Sequence, residues 1–393
     1  MDFSLPAKRR TLAAVACAAG FLLILLALLL YPQTVSRAVA SSITYCLSVL
    51  TPSLFPFMAL SSFAVHSSAA AFFGRPLGGL VRRTFRLPGI CAAPILMSFI
   101  GGYPAGARGI SLLLEKGQIT REQAGRMLLF CVNPGLAFVV TFLGAGVLGS
   151  IRLGWLLFAC VTLSGLLLGV ITAFRAPAAK EPAPALQEPP RGALIRSVSD
   201  SARSVVLMCA CVVLFSGFTA ILHGCGAYWA LVSLLARTRI FSPMEWAAVL
   251  SFLLEVTGGV GASAQLAVSP VFYAFGLAFG GICVHMQVFA FFQEPPVKLR
   301  IFLLCRLVHG LMAAGFFLLF CLILPREGVP VSASPGAAGG AAGFSGSFFG
   351  GASLLLMCMA FLLALGEKQS WSPKENGRSP KQTPPCQTRR FPL

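Results

Sequence analysis

Carboxylates are scarce in this chain. Asp and Glu total 12 against 30 Lys and Arg, and charged residues of both signs make up only 11% of 393 positions. Soluble domains carry about 25% charged residues, so a water-facing globular surface is excluded. Four histidines and the lack of any C-x-x-C pair leave no metal-ligand spacing. The 13 cysteines, scattered through apolar sequence, read as buried free thiols. H-E-x-x-H, G-x-S-x-G and P-loop patterns are missing, and no apolar segment holds two carboxylates. Neither an enzyme nor a cofactor is expected.

Apolar residues are abundant instead: 57% of the chain, with a mean hydropathy of +0.84. The fold class this implies is all-α, a polytopic membrane protein. The net charge of +18 raises the question of nucleic acid. No basic patch is interleaved with aromatics, so no nucleic-acid partner is expected. The surroundings are membrane lipid, and a homo-oligomer is compatible with the composition.

Within this apolar sequence, Ser98-Phe-Ile-Gly-Gly-Tyr-Pro-Ala-Gly-Ala-Arg108 cannot be a continuous helix. Gly101 and Gly102 each weaken a helix by about 1 kcal/mol relative to Ala, and Pro104 lacks a backbone donor. Backbone breaks survive in hydrocarbon only where protein or a wet cavity surrounds them. A second break, Glu255-Val-Thr-Gly-Gly-Val-Gly261, follows about 155 residues later. Paired breaks in two halves of a membrane protein point to a transport site.

The chain divides accordingly. Residues 1–37 form a basic head and a first span at 11–31; Ala38-Val-Ala40 mimics a signal cleavage site, but the apolar run is long for one. Residues 38–174 form a first half, with a re-entrant hairpin at 87–120 whose tip is expected at 101–104. A Pro-rich linker covers 175–200. Residues 201–324 form a second half, with a re-entrant hairpin at 242–268 and its tip at 257–262. A Gly-rich loop and last span (325–366) and a basic, disordered tail (367–393) complete the chain, giving about eight spans plus two hairpins. Span three (123–148) carries Asn133-Pro-Gly135 near its middle, and span six (270–292) carries Gly280-Gly281 in the matching place.

With both hairpins re-entrant and the head cytoplasmic, 24 of the 30 Lys and Arg fall on the cytoplasmic side. Only Arg37, Arg152, Arg237, Arg239 and Arg326 fall outside, and Arg108 sits beside a hairpin. This bias supports the assignment and places both termini in the cytoplasm. It also makes the halves an inverted repeat, as in alternating-access carriers.

Four short motifs carry a resemblance: Ser53-Leu-Phe-Pro-Phe57, Gly101-Gly-Tyr-Pro-Ala-Gly106, residues 121–129, and Leu254-Glu-Val-Thr257. Over about residues 40–323 the chain resembles the sporulation integral membrane proteins of the YlbJ type, which carry the nucleoside-recognition (Gate) domain. More distantly it resembles concentrative nucleoside transporters. The resemblance implies a bacterial cell membrane, including one surrounding the forespore, and a transporter of dipicolinic acid during endospore formation. The alternatives it leaves open are a nucleoside-type transporter and a non-transporting membrane scaffold or sensor acting through linker and tail.

The candidate site follows from the breaks. A half-helix start at membrane depth offers N–H groups and a positive end to an anion. Tip one supplies Gly101, Gly102 and Tyr103, with Ser98 and Gly106 in the same stretch. Tyr103 is read as stacking on a planar ring or as an interface residue. Arg108 either forks onto a solute carboxylate or snorkels to the surface. Asn133 adds an amide beside a kink. Glu255 is the one carboxylate placed at membrane depth, where a charge is costly; it binds a proton or cation, or pairs with Arg108. Thr257, Gly258 and Gly259 complete tip two. Gln287 is read as lining the cavity, with His285 and His309 as packing residues.

The topology makes a direct prediction. In a cysteine-free background, thiols introduced by Gly79→Cys and Gly117→Cys should react only with reagent on the cytoplasmic side. Those introduced by Ser150→Cys, Thr238→Cys and Ala267→Cys should react only from outside.

Overall fold

Apolar sequence in a bilayer must satisfy its own backbone, and among the described residues it does so with helices alone. The computed structural model describes residues 7–66, 69–174, 176–177 and 192–323. The expected eighth span, the Gly-rich loop, the tail and most of the linker lie outside them.

Helices α1 (Ala7–Leu30) and α2 (Pro32–Tyr45) meet at Tyr31. Pro32 takes a first-turn position, where a missing N–H costs nothing. A single π-helical turn, Cys46–Leu50, joins α2 to α3 (Thr51–His66). There the Thr51 N–H reaches back five residues to Cys46 O, and Ser53 Oγ donates to Val49 O at 2.7 Å. The widened turn sits directly before Pro52, whose ring disrupts a regular ladder. Helix α4 (Ala69–Phe85) leads through a 3-10 turn, Gly89–Cys91, into the first hairpin, α5 (Ala92–Ile100) and α6 (Tyr103–Glu115). Helix α7 (Arg121–Phe130) opens with a reciprocal cap between Thr120 and Gln123. The chain then breaks over residues 131–136 and resumes as a π-helix, Ala137–Val147, before α8 (Ile151–Ala173).

The second half repeats that order. Helix α9 (Ala193–Gly224) is followed by α10 (Ala227–Ala236), the hairpin α11 (Pro243–Leu254) and α12 (Val256–Gln265), the broken span α13 (Pro270–Phe279) and α14 (Gly281–Phe289), and α15 (Leu299–Ile323). Among the described residues, five stretches are long and apolar enough to cross a membrane: Pro32–Leu60, Ile151–Ala173, Ala193–Gly224, Pro270–Phe289 and Leu299–Ile323. Helix α9 begins inside the stretch read as linker. Past Gly192, at φ +82°, neither Pro nor Gly interrupts the sequence until Gly217, so the helix extends toward the linker.

Equivalent elements pair across the halves: α3 packs on α9, and α8 on α15. The contact of α8 with α13 has its mate in the contact of α15 with α7. Reciprocal contacts of this kind are what a two-fold relation between halves produces.

Close crossings rely on missing side chains. A Cβ on Gly144 of the π-helix would lie 2.5 Å from Gly154 Cα on α8. Gly154→Leu should therefore force these helices apart and destabilise the protein by about 1–3 kcal/mol, read as a lower unfolding midpoint in detergent.

Candidate functional site

At tip one the chain turns on Gly102, whose φ of +88° and ψ of −175° suit glycine alone. The Gly101 N–H closes α5 onto Met97 O at 2.8 Å, and the Ala105 N–H bonds Gly102 O at 3.1 Å. Gly101, expected as a ligand donor, is thus already engaged, leaving Gly102 and Tyr103 as the tip's donors. The tip rests on the break of span three. A Cβ on Gly102 would meet Gly135 N at 3.1 Å, and one on Gly135 would meet Ile100 O at the same distance.

Tip two turns elsewhere than expected. The break is at Glu255 itself, extended at φ −154° and ψ 131°, while Thr257, Gly258 and Gly259 are helical. The carboxylate makes the turn by capping α12. It accepts from Thr257 N at 2.8 Å, Thr257 Oγ1 at 2.5 Å and Gly258 N at 2.6 Å. A helix N-terminus favours such an anion. Gly259 serves packing: its Cβ would lie 2.4 Å from the Phe252 ring.

The break of span six is wedged between both tips. Gly280, at φ +88°, faces the Tyr103 ring, and a Cβ there would sit 3.4 Å from Cε1. Gly281, at φ +75°, faces tip two, where a Cβ would sit 2.8 Å from Phe252 O and 3.3 Å from Glu255 Cα. Both tips therefore open on one cleft of about 450 Å³, counting its mouth. Gly101, Gly102, Tyr103 and Pro104 line it from the first half, and Glu255, Val256, Thr257 and Gln287 from the second. Leu50, Leu54, Phe138, Met208, Val212 and Val284 complete an apolar wall. A mostly apolar cleft with a few convergent polar groups is the usual form of a small-solute site.

The remaining candidates fall elsewhere. Tyr103 lines the cleft with its ring only, because its hydroxyl donates to Leu277 O at 2.6 Å. Ser98 and Asn133 are buried behind tip one. Asn133 Nδ2 donates to Phe130 O at 2.7 Å and to Ser98 Oγ at 3.4 Å, while Ser98 Oγ donates to Ile95 O. Gly106 is there for close approach, its Cβ falling 2.2 Å from Cys131 O. Arg108 does not pair with Glu255. Its guanidinium reaches Glu115 at 3.2 Å and Asp200 at 3.5 Å, in a separate cleft with Met58, Ser201 and Ser204. Asp200 is there because α9 extends beyond the expected start of its span.

One residue escaped sequence reading. Arg306, counted there among the cytoplasmic charges, is fully buried on α15 and donates to Ala278 O and Phe279 O. The signal was present: Arg306 and His309 lie one turn apart inside an apolar run, where an ionisable residue is a functional candidate by default. His285 and His309 each bind a carbonyl, Phe279 O at 2.8 Å and Val161 O at 3.0 Å.

Comparison with known proteins agrees with the motif resemblance. Residues 47–151 match the family model described as Gate, nucleoside recognition. The chain is similar to "Sporulation integral membrane protein YlbJ" of Bacillus subtilis (strain 168), 25% identical over 336 residues, covering 77% of this chain and 81% of that one. No solved structure matches.

Removing either hydrogen-bonding group should be visible in stability. Tyr103→Phe leaves Leu277 O buried without its partner and should cost about 1–3 kcal/mol. Glu255→Ala uncaps α12 and should cost about 1 kcal/mol, whereas Glu255→Gln keeps an acceptor and should cost less. Unfolding in detergent measures all three.

Proposed function

We propose that this chain is a membrane transporter of a small anionic aromatic solute, dipicolinic acid, in a membrane of a spore-forming bacterium. The observation that carries the reading is the convergence of both hairpin tips on one cleft, with the span-six break packed against each tip. The similarity to a sporulation integral membrane protein supports the setting. The Tyr103 ring and the apolar wall suit a planar ring. The cleft also holds the Glu255 carboxylate, which repels an anion while ionised. Binding such a solute therefore goes with a proton or cation at Glu255, and that requirement couples solute to ion. With no nucleotide-binding motif in the sequence, the driving force in this reading is a gradient or facilitated diffusion. Access alternates as the hairpins move against the spans they rest on.

A second reading has its own support. Glu255 and Gln287 on one wall suit the hydroxyls of a neutral solute, and the matched family model is described as nucleoside recognition. A scaffold or sensor role would instead depend on the linker and tail.

Uptake by vesicles containing the purified protein separates the three. Labelled dipicolinate should accumulate saturably and faster with an inward proton or sodium gradient, and Glu255→Gln should abolish that gradient dependence. Uptake of uridine without dipicolinate would favour the nucleoside reading. Uptake of neither across all gradients would sink transport and leave the scaffold.

A further inference from the structure

The last turn of α13 brings the negative end of a half-helix against Tyr103, whose ring lines the cleft. A helix leaves its final four carbonyls unpaired and carries about half a negative charge there. Here all four are met. Gly276 O accepts from Gly280 N at 2.9 Å, and Leu277 O from Tyr103 Oη at 2.6 Å. Ala278 O accepts from Arg306 Nη2. Phe279 O accepts from Arg306 Nε at 3.3 Å and His285 Nε2 at 2.8 Å. Carbonyls only accept, so His285 and His309 both carry their proton on Nε2. Among the described residues, no carboxylate pairs with Arg306, and its buried Nη1 has no hydrogen-bond partner.

The charges do not cancel. A full positive charge on the guanidinium outweighs the helix end, leaving an excess of about half a charge. It lies behind Tyr103, whose ring lines the cleft and whose hydroxyl donates to Leu277 O, next to the carbonyls that Arg306 holds. Without Arg306, the helix end would face an entering solute with negative charge. An apolar interior screens weakly, so the sign of this charge is felt across one ring's width.

We propose that Arg306 determines the charge specificity of the cleft, biasing it toward anionic solutes from behind Tyr103. This deepens the transport reading and, as a statement about the cleft's potential, can be tested apart from it. The full-length protein with Thr257→Cys is reconstituted in vesicles. An anionic and a cationic methanethiosulfonate of matched size are then compared for their rate at the thiol introduced at position 257, read on that peptide by mass spectrometry. Adding Arg306→Gln should lower the anionic-to-cationic rate ratio at least about tenfold, while Arg306→Lys should hold it within about threefold. A ratio unmoved by Arg306→Gln overturns the proposal. In uptake, Arg306→Gln should raise the KM for dipicolinate about tenfold and leave that for its neutral diamide within about twofold. Equal loss on both would reduce Arg306 to a structural cap. A ratio shift in a protein that transports nothing would sink the transport reading and leave Arg306 its role.

Discussion

The constraint beneath this architecture is that a backbone away from water must find partners for every group it exposes. The chain interrupts helices inside apolar sequence, and each interruption creates unpaired donors or carbonyls. Glu255 answers for the start of α12 with three hydrogen bonds. Tyr103, Arg306 and His285 answer for the end of α13. These partners come from three different elements and fix the breaks relative to one another. The cleft thus lies where breaks had to be satisfied, and its carboxylate, Glu255, is a group that a break required.

The two halves share this burden unequally. Their element order repeats and their contacts are reciprocal, yet the tips are built differently. Tip one turns on a glycine with positive φ and starts α6 without a side-chain cap. Tip two turns on a carboxylate in ordinary extended conformation. One side of the cleft therefore offers backbone and the other offers charge, an asymmetry suited to a solute with distinct ends.

Much of this was legible because it rests on local chemistry. Gly101-Gly-Tyr-Pro104 cannot continue a helix, and α5 and α6 meet there. The break between α11 and α12 was legible as a break, but its turning point was not. Glycines at 258, 259 and 261 drew attention to themselves, whereas Gly259 is there to admit Phe252. What decides the matter is a side chain reaching its own backbone two residues on, and composition does not reveal that. Arg108 and Arg306 were exchanged in importance for a related reason. Distance along the chain from a loop says nothing about which way a long side chain reaches, and only packing sends one to Asp200 and the other to Ala278 O.

The glycine contact between tip one and span three has a wider consequence. A methyl group on Gly102 or Gly135 would sit 3.1 Å from the facing backbone, and one on Gly281 2.8 Å from Phe252 O. A side chain added at these points has to displace the turns themselves. Room to vary the cleft is left to its surrounding lining, at Leu50, Leu54, Phe138, Met208 and Val212.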